Sequence, residues 1–210
     1  MQLHTVIVSW NRLALTRQTV ESYAATVTLP HTLVVVDNGS APDVQRWLLD
    51  CPLLDDVVLL NENRYPGFAA NLGWQLAPPE ATHLHRSDND TLFLPGWCDG
   101  LAAAFTHPRV GLVGLTQEGD ERWTRYADWP VGGNAVIRRD VKTRYSEEPW
   151  REGWAECGQF YKDVRREGWR RAWAAPGIEY LVVDDPAYYE ATHAARGLPA
   201  PDRESPPIGG

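Results

Sequence analysis

Ser87-Asp88-Asn89-Asp90 sets two carboxylates two residues apart, behind a hydrophobic segment and ahead of Thr-Leu-Phe-Leu-Pro-Gly-Trp. On an extended backbone, residues i and i+2 point to the same side. Asp88 and Asp90 can therefore aim at one point beyond the end of a strand. Two such oxygen donors suit a hard divalent cation, Mn²⁺ or Mg²⁺, which can in turn bridge to the oxygens of a diphosphate. The same residue types also crowd into ordinary turns. A second acid, Asp37, opens the turn Asp37-Asn38-Gly39-Ser40. A carboxylate there can accept from the N3–H of uracil or thymine. It can equally satisfy only the backbone of an Asx-turn.

The elements around these residues alternate. Residues 5–10 and 32–36 are β-rich and read as buried strands, residues 56–60 as a third and residues 82–86 as a fourth. Between them, 11–25 has apolar Leu13, Val20 and Tyr23 at helical spacing, 43–50 starts behind Pro42, and 68–76 ends at Pro78-Pro79. Strands alternating with helices imply a mostly parallel sheet wrapped by helices, in which ligands bind beyond the carboxyl ends of the strands. Asp37 and the Asp88/Asp90 pair then share one rim. Further along, the pattern predicts a helix over 101–105, a strand over 110–115, a loop over 117–128, a strand over 131–137, a helix over 157–171 and a strand over 178–183. From Arg196 on, prolines and glycines predict a disordered tail, leaving residues 1–195 as one domain.

The 210 residues suffice for one substantial domain, and 43% hydrophobic with 23% charged is an ordinary globular balance. A net charge of -8 argues against non-specific coating of nucleic acid. Cys51, Cys98 and Cys157 lack metal-site spacing, and an odd count disfavours a disulfide framework, so a reduced, cytoplasmic compartment is expected. The N-terminus shows no signal-peptide pattern, and no uncharged apolar run approaches the ~18 residues of a membrane span. Seven of the ten tryptophans (97, 123, 129, 150, 154, 169 and 173) lie from Trp97 onward. They can fill a core or supply flat faces for a sugar or base.

Several segments, in order, carry a resemblance. They are Val6-Ile7-Val8-Ser9-Trp10-Asn11-Arg12, then Val35-Val36-Asp37-Asn38-Gly39-Ser40, then Asn61-Glu62-Asn63-Arg64-Tyr65-Pro66-Gly67-Phe68-Ala69-Ala70-Asn71-Leu72-Gly73. Ser87-Asp88-Asn89-Asp90 follows, and then Gly132-Gly133-Asn134-Ala135-Val136-Ile137-Arg138-Arg139. Over roughly residues 4 to 183 the chain resembles glycosyltransferase family 2, with its GT-A fold. That resemblance implies an α/β architecture with a nucleotide-binding, mostly parallel sheet and a mixed region on the acceptor side. It implies a metal-dependent, inverting transfer from a UDP- or dTDP-sugar, UDP favoured, to an acceptor hydroxyl. The acceptor would be a glycan, a lipid-linked sugar or a hydroxymethylated base in phage DNA.

By the same resemblance, Ser9, Trp10, Asn11, Arg12, Asp37, Gly67, Asn71, Asp88 and Asn89 contact the nucleotide-sugar. Trp129, Gly132, Gly133, Asn134 and Trp154 line the acceptor side, and Asp88 and Asp90 hold the metal. The family's acidic Glu-Asp-x-Asp-Leu motif has Glu156 in its first position here. Cys157 and Gln159 replace the two Asp, and Gly168-Trp169 follows twelve residues after Glu156. Glu156 is the candidate base that takes the acceptor proton. The family's late His ligand has Asp184-Asp185 in its place, with His193 beyond; Asp184 is the candidate third ligand. The basic run Lys162, Arg165, Arg166, Arg170 and Arg171 is either a solvated face or a contact for an anionic acceptor. A nucleotidyltransferase and a non-catalytic nucleotide-sugar binding protein of the same fold are the alternatives. The first would need a Gly-rich signature after strand one, which Ser9-Trp10-Asn11-Arg12-Leu13 lacks.

Overall fold

A computed structural model of the chain describes residues 1–118, 133–147 and 155–181, with the side chains of 155–158 excepted. Residues Met1–Tyr180 form one compact unit, and Leu181–Gly210 a second that lies, past Leu181, outside the described residues. The order in the first unit begins β1 (Leu3–Ser9), α1 (Leu13–Thr26), β2 (His31–Asp37), α2 (Pro42–Asp50), β3 (Asp56–Leu59), α3 (Tyr65–Gln75) and β4 (His83–Asp88). It continues with β5 (Thr91–Phe93), α4 (Trp97–Ala104), β6 (Val110–Gly114), β7 (Ala135–Arg138), α5 (Ala155–Arg166), β8 (Arg170–Trp173) and β9 (Ile178–Tyr180).

Seven strands form one sheet in the order β3-β2-β1-β4-β7-β6-β8, and β5 pairs with β9 in a small second sheet. β1, β2, β3 and β4 are parallel, whereas β7 runs antiparallel to both β4 and β6. The first three strands step outward on one side of β1, and β4 then returns to its other side. The order therefore reverses between β1 and β4, and the crevice beyond their carboxyl ends is where such sheets bind ligands.

The central strands carry apolar residues on both faces, as a sheet covered on both sides requires. Alternation splits them. Ile7, Leu33, Val35, Val113 and Val136 pack with Val20 and Tyr23 of α1, Val44 and Leu48 of α2, and Trp97 and Leu101 of α4. Val6, Val8, Val36, Leu84, Leu112 and Ile137 pack with Ala69, Ala70 and Trp74 of α3 and with Phe160 and Val164 of α5. On that second face α3 lies unusually close to β1. A Cβ on Gly73 would sit 2.5 Å from Val6 Cγ1, and the Gly73 carbonyl is 2.9 Å from His4 Nε2.

A row of hydroxyls on α1 does a different job. Thr19 Oγ1 accepts from the Thr91 N–H (3.1 Å), Ser22 Oγ from the Phe93 N–H (3.1 Å) and Thr26 Oγ1 from Trp97 Nε1 (3.2 Å). Their three- and four-residue spacing puts them on one helix face. That face fixes the chain that follows the acidic motif.

Several expectations shift. The predicted helix over 157–171 ends at Arg166, because Gly168 takes φ 85 and turns the chain into β8. Left-handed backbone there favours a residue without Cβ. Arg170 and Arg171 consequently lie on a strand, and the basic run is divided between two elements. The helix read over 101–105 starts earlier, at Trp97. β5 was not foreseen at all: three residues show no period. The strand expected over 131–137 is Ala135–Arg138, with 131 and 132 outside the described residues. Trp97 and Trp74 are core residues, 1% and 4% exposed. Cys51 and Cys98 are buried free thiols. Among the described residues no helix is long and apolar enough to cross a membrane.

Candidate functional site at the sheet switch point

β1 ends in a bend. Ser9 is buried, and Asn11 and Arg12 both adopt left-handed backbone, φ 54 and 55. Two successive non-glycine residues in that region cost of order 1 kcal/mol each and persist only where neighbours fix them. Here the Asn11 N–H donates to Ser40 Oγ (2.7 Å), and Asn11 Oδ1 accepts from the Ala41 N–H (3.0 Å). The Thr16 hydroxyl donates to the Asn11 carbonyl at 3.2 Å. The bend after β1 is thus tied to the turn after β2 and to α1.

β2 delivers Asp37, which is fully buried. Its Oδ2 accepts from the Ser40 N–H (2.9 Å) and from Gln45 Nε2 (3.1 Å). Its Oδ1 is buried without a partner among the described residues. Only half of the carboxylate is spent on the turn, and an unpaired buried acceptor is costly enough to expect a use. Asn38 turns toward α3, accepting from the Arg64 N–H at 2.7 Å and donating to Asn63 Oδ1 at 3.1 Å.

β4 delivers the acid pair. Parallel register sets Val8 opposite Asp88 and Ser9 opposite Asp37, so the two acidic strand ends flank β1 one residue apart. Arg86, two residues before Asp88 and on the same side of the strand, is 3% exposed and lies over the Tyr145 ring (4.6 Å to its centroid). It pairs with Asp88 Oδ1 at 3.3 Å. Arg12 pairs with Asp90 Oδ2 at 2.9 Å. Burial and the neighbouring Asp88 charge push the Asp90 carboxyl up to about 6, against the pull of Arg12. Between the acids, Asn89 Nδ2 donates to Thr16 Oγ1 at 2.8 Å. From the other side Gly133 closes on Asp88, and any Cβ there would collide with Asp88 Oδ2. Asn134 donates to Thr91 Oγ1 at 2.9 Å, while its own buried Oδ1 has no partner among the described residues.

The remaining expected residues divide. Trp10 is half-buried at the end of β1. Gly67 is buried in the first turn of α3. Asn71, expected at the diphosphate, is 3% exposed and grips the chain instead: Nδ2 donates to the Tyr145 carbonyl and to Glu147 Oε1 (both 2.9 Å), and Oδ1 accepts from the Tyr145 N–H (3.1 Å). Trp129, Gly132, Trp154, Asp184, Asp185 and His193 lie outside the described residues, and Glu156 is described only as the second residue of α5.

Ser40, in the turn already read from the sequence, and Arg86, Thr16 and Gln45, which were not foreseen, complete the site. Of the latter three only Arg86 had a signal, its i−2 spacing from Asp88. The donor set suits a divalent cation: two carboxylates, the charge of Asp88 close enough to raise the proton affinity of Asp90, with the space beside Asp88 Oδ2 kept by a residue lacking a side chain. No group of three or more His, Cys, Asp or Glu that could hold a metal occurs among the described residues, so Asp88 and Asp90 would need a further ligand.

No family model matches the chain, and no curated protein sequence does. Solved structures do. The mannosyltransferase PcManGT from Pyrobaculum calidifontis, in complex with GDP-Man and Mn²⁺, superposes over 95% of this chain with a TM-score of 0.68 at 18% identity. S. aureus TarS 1-349 superposes over 92% with 0.64 at 15% identity, and its complex with UDP-GlcNAc over 92% with 0.63 at 15%. The chain spans 64–65% of the length of those structures. Its mixed α/β architecture, a mostly parallel seven-stranded sheet flanked by helices, is that of GT-A-like glycosyltransferases.

Proposed function

We propose that the protein is a metal-dependent glycosyltransferase of family 2 type that moves a sugar, with inversion, from a UDP- or dTDP-sugar to an acceptor hydroxyl. The observation that carries this reading is the pairing of Asp37 and the Asp88/Asp90 pair on either side of β1 at the sheet's switch point, with one Asp37 oxygen buried and unpaired. Asp37 Oδ1 accepts the imide N–H of the pyrimidine, and Gln45 and Ser40 hold the carboxylate for it. Asn11 and Trp10 border the nucleoside, and Arg12 borders its phosphates. Asp88 and Asp90 hold Mn²⁺ or Mg²⁺, with Asp184, Asp185 or His193 as the further ligand. Bound there, the cation would offset the charge that develops on the departing diphosphate. Gly133 and Asn134, with Trp129, Gly132 and Trp154, face the acceptor, and Glu156 takes its proton. The acceptor is a glycan, a lipid-linked sugar or a hydroxymethylated DNA base.

A thermal-shift panel of UDP, dTDP and GDP and their sugars, each with and without Mn²⁺, tests this. A UDP- or dTDP-sugar should stabilise the chain only with Mn²⁺, and Asp90→Ala should abolish the effect. Equal stabilisation of that variant removes the metal role from the acid pair. Donor binding with no nucleotide release, even over long incubation with Mn²⁺, would mark a non-catalytic binding protein instead.

A further inference from the structure

The two acids are held by arginines of different kinds. Arg86 is built in: its side chain is 4% exposed and stacked over Tyr145, and it engages Asp88 from inside the fold. Arg12 stands at the rim, its side chain 15% exposed, on a bend whose backbone is fixed by Ser40, Ala41 and Thr16. Turning the guanidinium would need a change of side-chain rotamer only, with the bend left as it is. The guanidinium reaches Asp90 Oδ2 at 2.9 Å, the carboxylate that a cation between Asp88 and Asp90 would need. With Arg12 this close to Oδ2, a cation at the same carboxylate would stand near the guanidinium, and in a partly buried site their repulsion is only partly screened.

We propose that Arg12 and a divalent cation compete for the Asp90 carboxylate, so that Arg12 turns away for the cation to bind. Arg12 therefore weakens binding of the bare ion and sets the concentration at which the site loads. Arg86 meets the other acid at Asp88 Oδ1, so that Oδ2, the oxygen beside Gly133, is the one offered to the cation and Arg86 can keep Asp88 in place throughout. This rests on the metal role of Asp88 and Asp90 proposed above.

The test is Mn²⁺ affinity of the full chain without nucleotide, read from the electron paramagnetic resonance signal of free Mn²⁺. Arg12→Asn removes the charge and places at φ 55 a residue that tolerates left-handed backbone, so the bend survives. Its Kd should fall about fivefold, the reach of one partly exposed ion pair. Arg12→Lys, which keeps the charge, should stay near wild type. If Asp90→Ala weakens Mn²⁺ binding but Arg12→Asn binds no tighter than wild type, the competition is wrong and the metal site stands. If Asp90→Ala binds Mn²⁺ as wild type does, or no variant binds it, both ideas fall together.

Discussion

Thr16, in the first turn of α1, accepts a 2.8 Å hydrogen bond from Nδ2 of Asn89, the residue between the two acids. The same hydroxyl donates to the Asn11 carbonyl and lies 3.3 Å from Ser9 Oγ. One small side chain thus joins the ends of β1 and β4, the two strands that border the crevice.

Thr16→Val keeps the shape and removes the hydroxyl. Leaving buried donors unsatisfied costs about 1–3 kcal/mol, so urea unfolding should show a loss of that size. The Mn²⁺-dependent shift with a nucleotide-sugar should shrink as well, and Thr16→Ser should restore it. A Val variant with the full ligand shift would mean that Thr16 supports the fold alone.

Gly133→Ala tests the contact with Asp88. The added methyl collides with the carboxylate and must turn it. Mn²⁺-dependent donor binding, measured by calorimetry, should weaken about tenfold or more, equivalent to about 1.4 kcal/mol. Unchanged affinity would show that the orientation of Asp88 is immaterial.

Asp37→Asn exchanges an acceptor for a donor at one oxygen while the other can still serve Ser40 and Gln45. Hydrogen bonds to charged groups contribute about 1.5–3 kcal/mol. UDP should therefore bind about tenfold to a hundredfold more weakly, with the thermal midpoint of the free protein little changed. Full UDP affinity would move base recognition away from Asp37.

His85 predicts how stability responds to acid. It is fully buried among Tyr23, Phe93 and Trp97, with Nδ1 3.2 Å from Thr5 Oγ1, and burial pushes it down to about 3. The folded chain keeps it neutral where the unfolded chain already takes up a proton, below the ordinary 6.5. Its contribution is whole above pH 6.5 and is lost as the pH falls toward 3, by up to about 1.4 kcal/mol per unit. Asp90, pushed up to about 6, acts in the opposite sense between that value and 3.8 and offsets part of the loss. Denaturant titrations from pH 7 to 4 should give a shallower decline for His85→Phe than for wild type. Parallel declines would exclude His85 as the cause.

The parallel half of the fold was legible because β1 and β2 carry dense apolar runs bounded by turn residues, β4 alternates ahead of its acids, and periods of two and 3.6 differ plainly. Asp37 and the acid pair were placed on one rim by strand order alone, and the structure puts them there. What escaped was set by long-range contact. Asn71 looks like a ligand-facing amide until the chain near Tyr145 is folded against it. Thr16 carries no local signal, since its partner lies 73 residues away. The α5–β8 junction was hidden because Arg165, Arg166, Arg170 and Arg171 have no apolar period, and only the φ of Gly168 divides them.

β7 enters the main sheet head-to-tail between β4 and β6. Asp88 leaves the crevice wall at the finish of its strand, whereas Gly133 and Asn134 approach it just ahead of theirs. The opposing walls therefore belong to stretches some forty-five positions apart in the chain. They meet all the same, since a single methyl added at Gly133 would press on the Asp88 carboxylate, so neither wall can be retailored without the other having to answer.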